Sequence, residues 1–111
     1  MYDLISVNFD DGLSEKGKII ITMFYASYCP FCSMFSYIFE RQAKNPKYVF
    51  AKADITDDDN PFWERYNIKV VPTLIAFRDG EEIIRKDAIL NIGLNEKDLT
   101  TFLETLQKLF P

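Results

Sequence analysis

An uninterrupted strand pattern, "KIIITMFY" at residues 18–25, constrains the fold more than any other feature of this chain. Its β-branched and aromatic side chains follow one another without a polar face, as in a strand buried on both sides of a sheet. A helical spacing of apolar residues follows within residues 30–43, at positions 31, 34, 35, 38 and 39. A strand that leads into a helix favours a crossover to a parallel neighbour, and therefore a sheet covered by helices.

The rest of the chain continues this alternation. Further strands are predicted at residues 4–9, 48–53, 73–78 and 81–86, further helices at residues 61–66 and from Asn95 onwards, and a candidate short helix at residues 10–16. Asp79-Gly80, between two strand patterns, is a strong hairpin signal. The order βαβαβαββα predicts an α/β fold, a central mixed sheet flanked by helices on both faces, in a single domain over residues 1–111.

Two helix starts are marked by their capping residues. Asn60 is expected to cap the short helix, with Pro61 at its first position. Asn95 and Asp98 resemble a capping box, and the apolar stripe of residues 99–110 that follows them is expected to be core. The acidic run at residues 57–60 lacks the length and the glycine of a calcium loop, so we interpret it as a solvated turn before a helix N-terminus.

Composition excludes several classes of function. Hydrophobic residues make up 48% of the chain, enough for a core without disulfides or metals. The formal net charge of −4 and the lack of a basic run argue against nucleic acid as a partner. The chain has no histidine, which excludes Ser-His and Cys-His pairs and HExxH zinc sites. Neither a signal peptide nor a membrane span is expected, and we predict a cytoplasmic protein.

Both cysteines lie where the strand ends and the helix begins, in "YCPFC" at residues 28–32. Pro30 suits the first position of a helix, where its missing N–H costs nothing, and this puts Cys29 at or near the N-cap. The free N–H groups and the dipole of the helix start stabilise a thiolate on Cys29. Cys32, one turn later, is close enough to attack a mixed disulfide on Cys29. We expect an exposed attacking thiol and a partly buried resolving thiol.

Three interpretations of this pair compete. A structural metal site normally needs four ligands, and without further Cys or His two chains would have to share a zinc. An inert pair of core cysteines is a second interpretation, since free Cys is often buried, but Pro30 and the strand-to-helix position argue against it. A CxxC inside a βαβ pattern favours a reversible dithiol/disulfide pair. We expect no metal and no cofactor.

At this point the chain resembles the thioredoxin family over nearly its whole length. The similar segments are "FYASYCPFC", "VFAKADITD", "YNIKVVPTLIAFRDGEEI", which is the most specific, and "NIGLNEKDLTTFLETL". The resemblance implies the thioredoxin fold and a protein-disulfide oxidoreductase that reduces disulfide-bearing proteins. It also implies a thioredoxin reductase or a small-thiol reductant as the second partner, and we expect a monomer.

The resemblance assigns roles residue by residue. Cys29 matches the nucleophile, Cys32 the resolving cysteine, and Pro72 the cis-proline that faces them. The backbone of Val71 would pair with an extended substrate segment, a form of β-augmentation. Residues expected to complete the substrate-binding surface are Tyr28, Pro30 and Phe31, with Trp63 either widening it or packing its own helix against the sheet. Gly80 and Gly93 match family glycines, although simple turns explain them equally well.

Two departures separate this chain from a typical thioredoxin. Met23 stands where the family carries a buried carboxylate that is assigned to proton transfer with the resolving cysteine. Lys52 matches the lysine beside that carboxylate; without its partner it either favours a thiolate electrostatically or is a snorkelling surface lysine. The motif Cys-Pro-Phe-Cys, with proline second, resembles that of glutaredoxins.

Two other functions stay open at this level. A glutathione-linked, glutaredoxin-like activity has less support, because the chain has about 17 residues before "KIIITMFY" and lacks the glycine pair followed by Asp that glutaredoxins use. A thioredoxin-fold interaction module whose cysteines do not turn over is the alternative from another class.

Overall fold

The computed structural model describes residues 2–4 and 17–111, and its elements alternate as the sequence predicts. The strands are β1 (Tyr2–Leu4), β2 (Ile19–Tyr25), β3 (Val49–Asp54), β4 (Thr73–Arg78) and β5 (Glu81–Asp87); the helices are α1 (Pro30–Gln42), α2 (Phe62–Arg65) and α3 (Glu96–Leu109). No helix in these two described ranges is long and apolar enough to cross a membrane.

The five strands form one mixed sheet in the order β1-β3-β2-β4-β5. The strand β3 runs parallel to both β1 and β2, whereas β4 runs antiparallel to β2 and to β5. The crossover from β2 through α1 to β3 produces the parallel pair, and the hairpin β4–β5 closes the sheet. Asp79 and Gly80 both have positive φ, 52° and 83°, as a type I′ two-residue hairpin turn requires.

Most predicted boundaries differ from the observed ones by one or two residues. The first strand begins two residues earlier than predicted: β1 starts at Tyr2, which pairs with Ala51, so the predicted start at residue 4 is wrong. The remainder of that predicted strand, residues 5–9, and the candidate helix at residues 10–16 lie outside the described residues. The short helix α2 begins one residue later than predicted, with Pro61 at its N-cap. Asn60 still acts there, because its Oδ1 accepts the Phe62 N–H at 2.9 Å.

The core consists of two layers, one on each face of the sheet. Alternate residues of β2 point to opposite layers, so Ile21 and Met23 pack with α1 and α3, whereas Ile20 and Phe24 pack with Phe62 of α2. This alternation explains why the strand has no polar face. Cys29, in the loop that follows β2, belongs to the layer that packs with α1 and α3.

The final helix follows the predicted capping box and most of the predicted stripe. Oδ1 of Asn95 accepts the Asp98 N–H and Oδ2 of Asp98 accepts the Asn95 N–H, both at 2.9 Å. Leu99, Phe102 and Leu106 are buried. Leu109 is 52% exposed, so the prediction that the whole stripe is core is wrong at its last turn, where the helix ends.

Candidate active site

The first turn of α1 places Cys29 at the N-cap, as its sequence position predicts. Cys29 has an extended backbone (φ −95°, ψ 111°), and its Sγ accepts the N–H of Cys32 at 3.3 Å. Pro30 occupies the first helical turn, where no intrahelical donor is lost. The sulfur therefore takes the place of a capping oxygen and lies against the positive end of the helix dipole.

The turn before β4 brings a second backbone segment to Cys29. The Val71-Pro72 peptide bond is cis, the geometry that the resemblance implies for Pro72. The Cys29 thiol donates to the carbonyl oxygen of Val71 at 3.6 Å. Two residues that are 42 positions apart in the chain are thus in contact, and the backbone of Val71 lies beside the sulfur, where the expected substrate pairing would occur.

The accessibility of the two thiols differs from expectation. Cys29 is only 8% exposed and Cys32 is 2% exposed, so the expectation that Cys29 is exposed is wrong. The Cys29 side chain points at the Val71 carbonyl and belongs to one of the two core layers, while residues of the 69–71 and 88–91 segments line the same cavity as Cys29. Cys29 is nevertheless the more accessible of the two, which is the order that an attacking and a resolving thiol require.

Burial raises the pKa of the Cys32 thiol to about 12. The hydrogen bond to Cys29 and the charge on that residue act in the same direction, whereas a backbone hydrogen bond from Ala26 lowers the pKa. A neutral Cys32 is therefore the resting form at neutral pH. Its proton has to leave before or while it acts as a nucleophile.

A cavity of about 310 Å³ opens next to Cys29. Its lining includes the expected surface residues Tyr28, Pro30, Phe31, Val71 and Trp63. The indole of Trp63 is fixed by donating to the carbonyls of Ile55 and Asp57 at 2.9 and 3.2 Å, so this residue both anchors α2 and borders the cavity. The structure thus brings these expected surface residues together with Cys29 in one concave surface.

The opposite rim of the cavity was not predicted. It consists of Ala88, Ile89, Leu90 and Asn91, between β5 and α3, and Lys69 is the charged residue of the lining. Leu90 is 73% exposed and Ile89 is 56% exposed. The sequence signal that could have indicated this rim is the apolar run "AIL" at residues 88–90, in a segment that fits neither a helix nor a strand. Apolar side chains that are exposed on a loop often mark a binding surface.

Met23 and Lys52, the two residues of the family's acid-lysine position, lie side by side. They are partners in the register of β2 and β3, and Met23 is fully buried. The Nζ of Lys52 donates to Oε1 of Glu40 at 2.8 Å and to Oγ of Ser36, both on α1. Lys52 therefore has a carboxylate partner after all, on the helix instead of on β2. Ser36 and Glu40 were not predicted as site residues, and their spacing of four and eight residues from Cys32 is the only local signal for them.

Comparison with known proteins agrees with this geometry. The model of the thioredoxin domain family matches residues 2–105. The chain belongs to the thioredoxin family. It is 35% identical over 92 residues to a thioredoxin of Chlamydia trachomatis, covering 82% of each chain, and 32% identical over 99 residues to one of Chlamydia pneumoniae, covering 88% of this chain and 89% of the other.

The fold of this thioredoxin-family chain is also that of a solved family structure. Thioredoxin f2 of Chlamydomonas reinhardtii superimposes with a TM-score of 0.82 over 96% of each chain, at 16% sequence identity. The thioredoxin fold predicted from the sequence is confirmed. Family membership makes the protein a thiol-disulfide oxidoreductase. In general, members of this family act on disulfide-bearing proteins and are reduced again by a partner reductant.

Proposed function

We propose that this protein reduces protein disulfides with Cys29 as the nucleophile and Cys32 as the resolving thiol. The observation that carries the proposal is the position of Cys29: an N-cap sulfur that accepts a helix N–H and also touches the Val71 carbonyl. Donors aimed at a sulfur stabilise its thiolate. The more buried Cys32, one turn away, suits the second, intramolecular step.

The first step is attack by the Cys29 thiolate on one sulfur of the target disulfide. A Cys29–target disulfide bond forms, the target S–S bond breaks, and the second target sulfur leaves as a thiolate. When the Cys29 proton has left, the Val71 carbonyl no longer receives the hydrogen bond that the Cys29 thiol donates in the reduced protein. That carbonyl then becomes an acceptor for an N–H of an extended substrate segment lying along Val71 and Pro72.

The second step releases the target. Cys32 loses its proton and attacks the Cys29 sulfur; the Cys29–Cys32 disulfide forms and the mixed disulfide breaks. Two electrons pass from the protein dithiol to the target, and the two protons of the dithiol are balanced by those on the two target thiols. A reductase or a small-thiol pool returns two electrons to the Cys29–Cys32 disulfide.

The setting that fits this cycle is a single-domain monomer in the cytoplasm. A reducing thiol pool there returns CxxC disulfides to the dithiol, which the protein needs in order to donate electrons. The apolar cavity beside Cys29, with Tyr28, Phe31, Val71 and Trp63 in its wall, would receive apolar side chains that flank the target disulfide. The cycle uses no metal and no cofactor in the protein itself.

Single-cysteine variants test the two roles. Cys29→Ser should abolish the reduction of a protein disulfide such as that of insulin, and Cys32→Ser should accumulate a mixed disulfide between Cys29 and the target. Ser33→Ala, an exposed neighbour of Cys32 on the same turn, serves as the control and should keep full activity. Full activity of Cys29→Ser would refute the assignment, as would a mixed disulfide that maps to Cys32.

A further inference from the structure

A second cavity opens at the end of the sheet that is opposite to Cys29. It has a volume of about 660 Å³ and lies at the first residue of β2, whereas Cys29 follows the last residue of that strand. Because β2 has seven residues and a strand rises about 3.3 Å per residue, roughly 20 Å separates the two cavities. A partner bound in the second cavity would therefore leave Cys29 uncovered. The lining of this distal groove includes Lys18, Ile19, Lys47, Arg78, Leu109 and Phe110.

Three cations line the distal groove, and no Asp or Glu side chain from the described part of the chain does. Lys18 precedes β2, Lys47 precedes β3, and Arg78 ends β4. Asp79 lies next to the groove, where its Oδ1 accepts the Gly17 N–H at 2.9 Å. The whole chain has 17 acidic residues against 13 basic ones, so the groove is opposite in sign to the protein. Such a local excess of positive charge attracts anionic groups.

Neutral groups hold two of these cations in place. The guanidinium carbon of Arg78 lies 4.8 Å from the centre of the Phe110 ring. The Nζ of Lys47 donates to Oε1 of Gln107 and lies 5.7 Å from the centre of the Tyr48 ring. None of the three cations forms an ion pair with another residue that the structure describes. These contacts orient the charges without neutralising them, so the charges stay available to an anionic partner.

The distal groove also presents apolar surface. Leu109 is 52% exposed at the end of α3, and Phe110 beside it is half-buried under Arg78. A single exposed leucine has no special meaning, but this one borders a concave surface that contains a cation–aromatic pair. Arginine and aromatic residues carry much of the binding energy at protein interfaces. The combination favours a ligand that has both an apolar side chain and negative charge.

A protein segment suits this surface better than other anions do. A nucleic acid is a long polyanion and would meet the acidic remainder of the chain. A bilayer is flat, whereas these cations line a concavity, and recognition of anionic lipids typically uses clusters of about four to eight Lys or Arg. A free phosphate ion would leave the apolar surface of the groove in contact with water.

We propose that the distal groove docks an acidic protein segment that contains a leucine or a phenylalanine. The apolar side chain of the segment packs against Leu109 and Phe110, and its carboxylates face Lys47 and Arg78, as in the recognition of acidic motifs by clustered cations. Glu81 is the register partner of Arg78 on β5, so its carboxylate lies on the same face of the sheet and opposes binding.

The test measures the binding of a fluorescein-labelled short peptide, with a central Phe-Leu pair flanked by Glu and Asp, by fluorescence anisotropy. Arg78→Gln and Lys47→Gln should each weaken binding by about twofold to fivefold, the usual range for an exposed charge pair. Glu81→Gln should strengthen binding by about twofold. Lys97→Gln is the matched control, because it removes the same charge from the other end of α3, and it should change the affinity less.

Two leucine variants separate the distal groove from the cavity beside Cys29. Leu109 and Leu90 are both exposed, 52% and 73%, and only Leu90 lines the cavity beside Cys29. Leu109→Ser should weaken peptide binding by about threefold or more, and Leu90→Ser should leave it nearly unchanged. The reverse result would place the peptide beside Cys29 and overturn the proposal. Equal effects of Arg78→Gln and Lys97→Gln, or no binding of the peptide at all, would overturn it as well.

Two further probes distinguish other anions. Inorganic phosphate at the concentration of the peptide should not displace it, and the protein should not sediment with vesicles of phosphatidylcholine and phosphatidylserine. Displacement by phosphate would indicate a simple anion site, and sedimentation that Arg78→Gln abolishes would indicate a membrane surface; either result would contradict the proposal. The peptide contains no cysteine, so these outcomes do not depend on the proposed roles of Cys29 and Cys32.

Discussion

Gly93 and Phe31 are in such close contact that a methyl group on Gly93 would lie 2.9 Å from Cβ of Phe31 and 3.1 Å from its Cδ1. Gly93 also has a φ of 84°, a conformation that side chains with a Cβ rarely adopt. The aromatic residue of the Cys-Pro-Phe-Cys motif therefore packs directly against the backbone of Gly93, where the absence of a Cβ leaves room for the ring. This contact links the start of α1 to the entry of α3.

Gly93→Ala should destabilise the protein more than a positive φ alone explains. Gly80 is the matched control, because it has nearly the same φ, 83°, and nothing within 4 Å of its added methyl group. We expect Gly80→Ala to cost about 1 kcal/mol of unfolding free energy, and Gly93→Ala to cost a further 1–3 kcal/mol or so from overpacking against Phe31. Urea unfolding of both variants measures the difference; equal losses would mean that Phe31 moves away without cost.

Thr22 offers a prediction of the opposite sign. It is fully buried in β2, and its hydroxyl has no hydrogen-bond partner among the residues that the structure describes. Thr22→Val keeps the shape and removes the unpaired hydroxyl, so it should stabilise the protein by about 1 kcal/mol. Thr73 is equally buried but donates to the Val70 carbonyl at 2.8 Å, so Thr73→Val should destabilise it by a similar amount. Thermal unfolding of both variants gives the two signs, and a loss of stability in Thr22→Val would contradict the prediction.

Features of the fold that are encoded locally could be read from the sequence. The β2 pattern, the hairpin turn at Asp79-Gly80 and the capping box at Asn95 each depend on residues within a few positions of one another, and each is found where it was predicted. The position of Cys29 at a helix start is of the same kind. Local periodicity and turn chemistry decide such features before any tertiary contact forms.

Features that depend on distant segments were missed or misjudged. Cys29 is buried although it lies in a loop, because its thiol is hydrogen-bonded to the carbonyl of Val71, which is 42 positions away in the chain, and its side chain belongs to the core layer under α1 and α3. Lys52 pairs with Glu40 because the fold places β3 next to the third turn of α1. No sequence pattern within β3 or within α1 indicates that these two residues are partners. The sequence can propose which residue types belong to the site, whereas their burial and their charge partners depend on packing between elements.

The apolar rim of the cavity predicts an effect on substrate affinity. Leu90 lines the cavity beside Cys29; Ile92 does not belong to that lining, although it is similarly exposed, 66% against 73%. We expect Leu90→Ser to lower kcat/KM for a protein disulfide by about twofold to fivefold, through partial loss of apolar burial in the complex. Ile92→Ser should leave kcat/KM nearly unchanged. Equal losses of kcat/KM in the two variants would show that substrate binding depends on general surface hydrophobicity and not on this rim.

The raised pKa of Cys32 predicts how the stability of the reduced protein depends on pH. The folded-state pKa, about 12, lies above the ordinary thiol value of 9.0. Between these two values the unfolded chain has lost the Cys32 proton while the folded protein still holds it. Folding is therefore favoured fully below pH 9, and this contribution falls as pH rises from about 9 to about 12, with a slope of up to about 1.4 kcal/mol per pH unit.

Urea unfolding of the reduced protein at pH 8 and at pH 10 measures this dependence. Burial also raises the pKa of Tyr48, which adds a loss of the same sign at higher pH, so the informative quantity is the difference between wild type and Cys32→Ser. We expect that between pH 8 and pH 10 the wild type loses about 1 kcal/mol more than Cys32→Ser does. An identical pH dependence in the two proteins would contradict the prediction, because Cys32 would then ionise as easily in the folded state as in the unfolded chain.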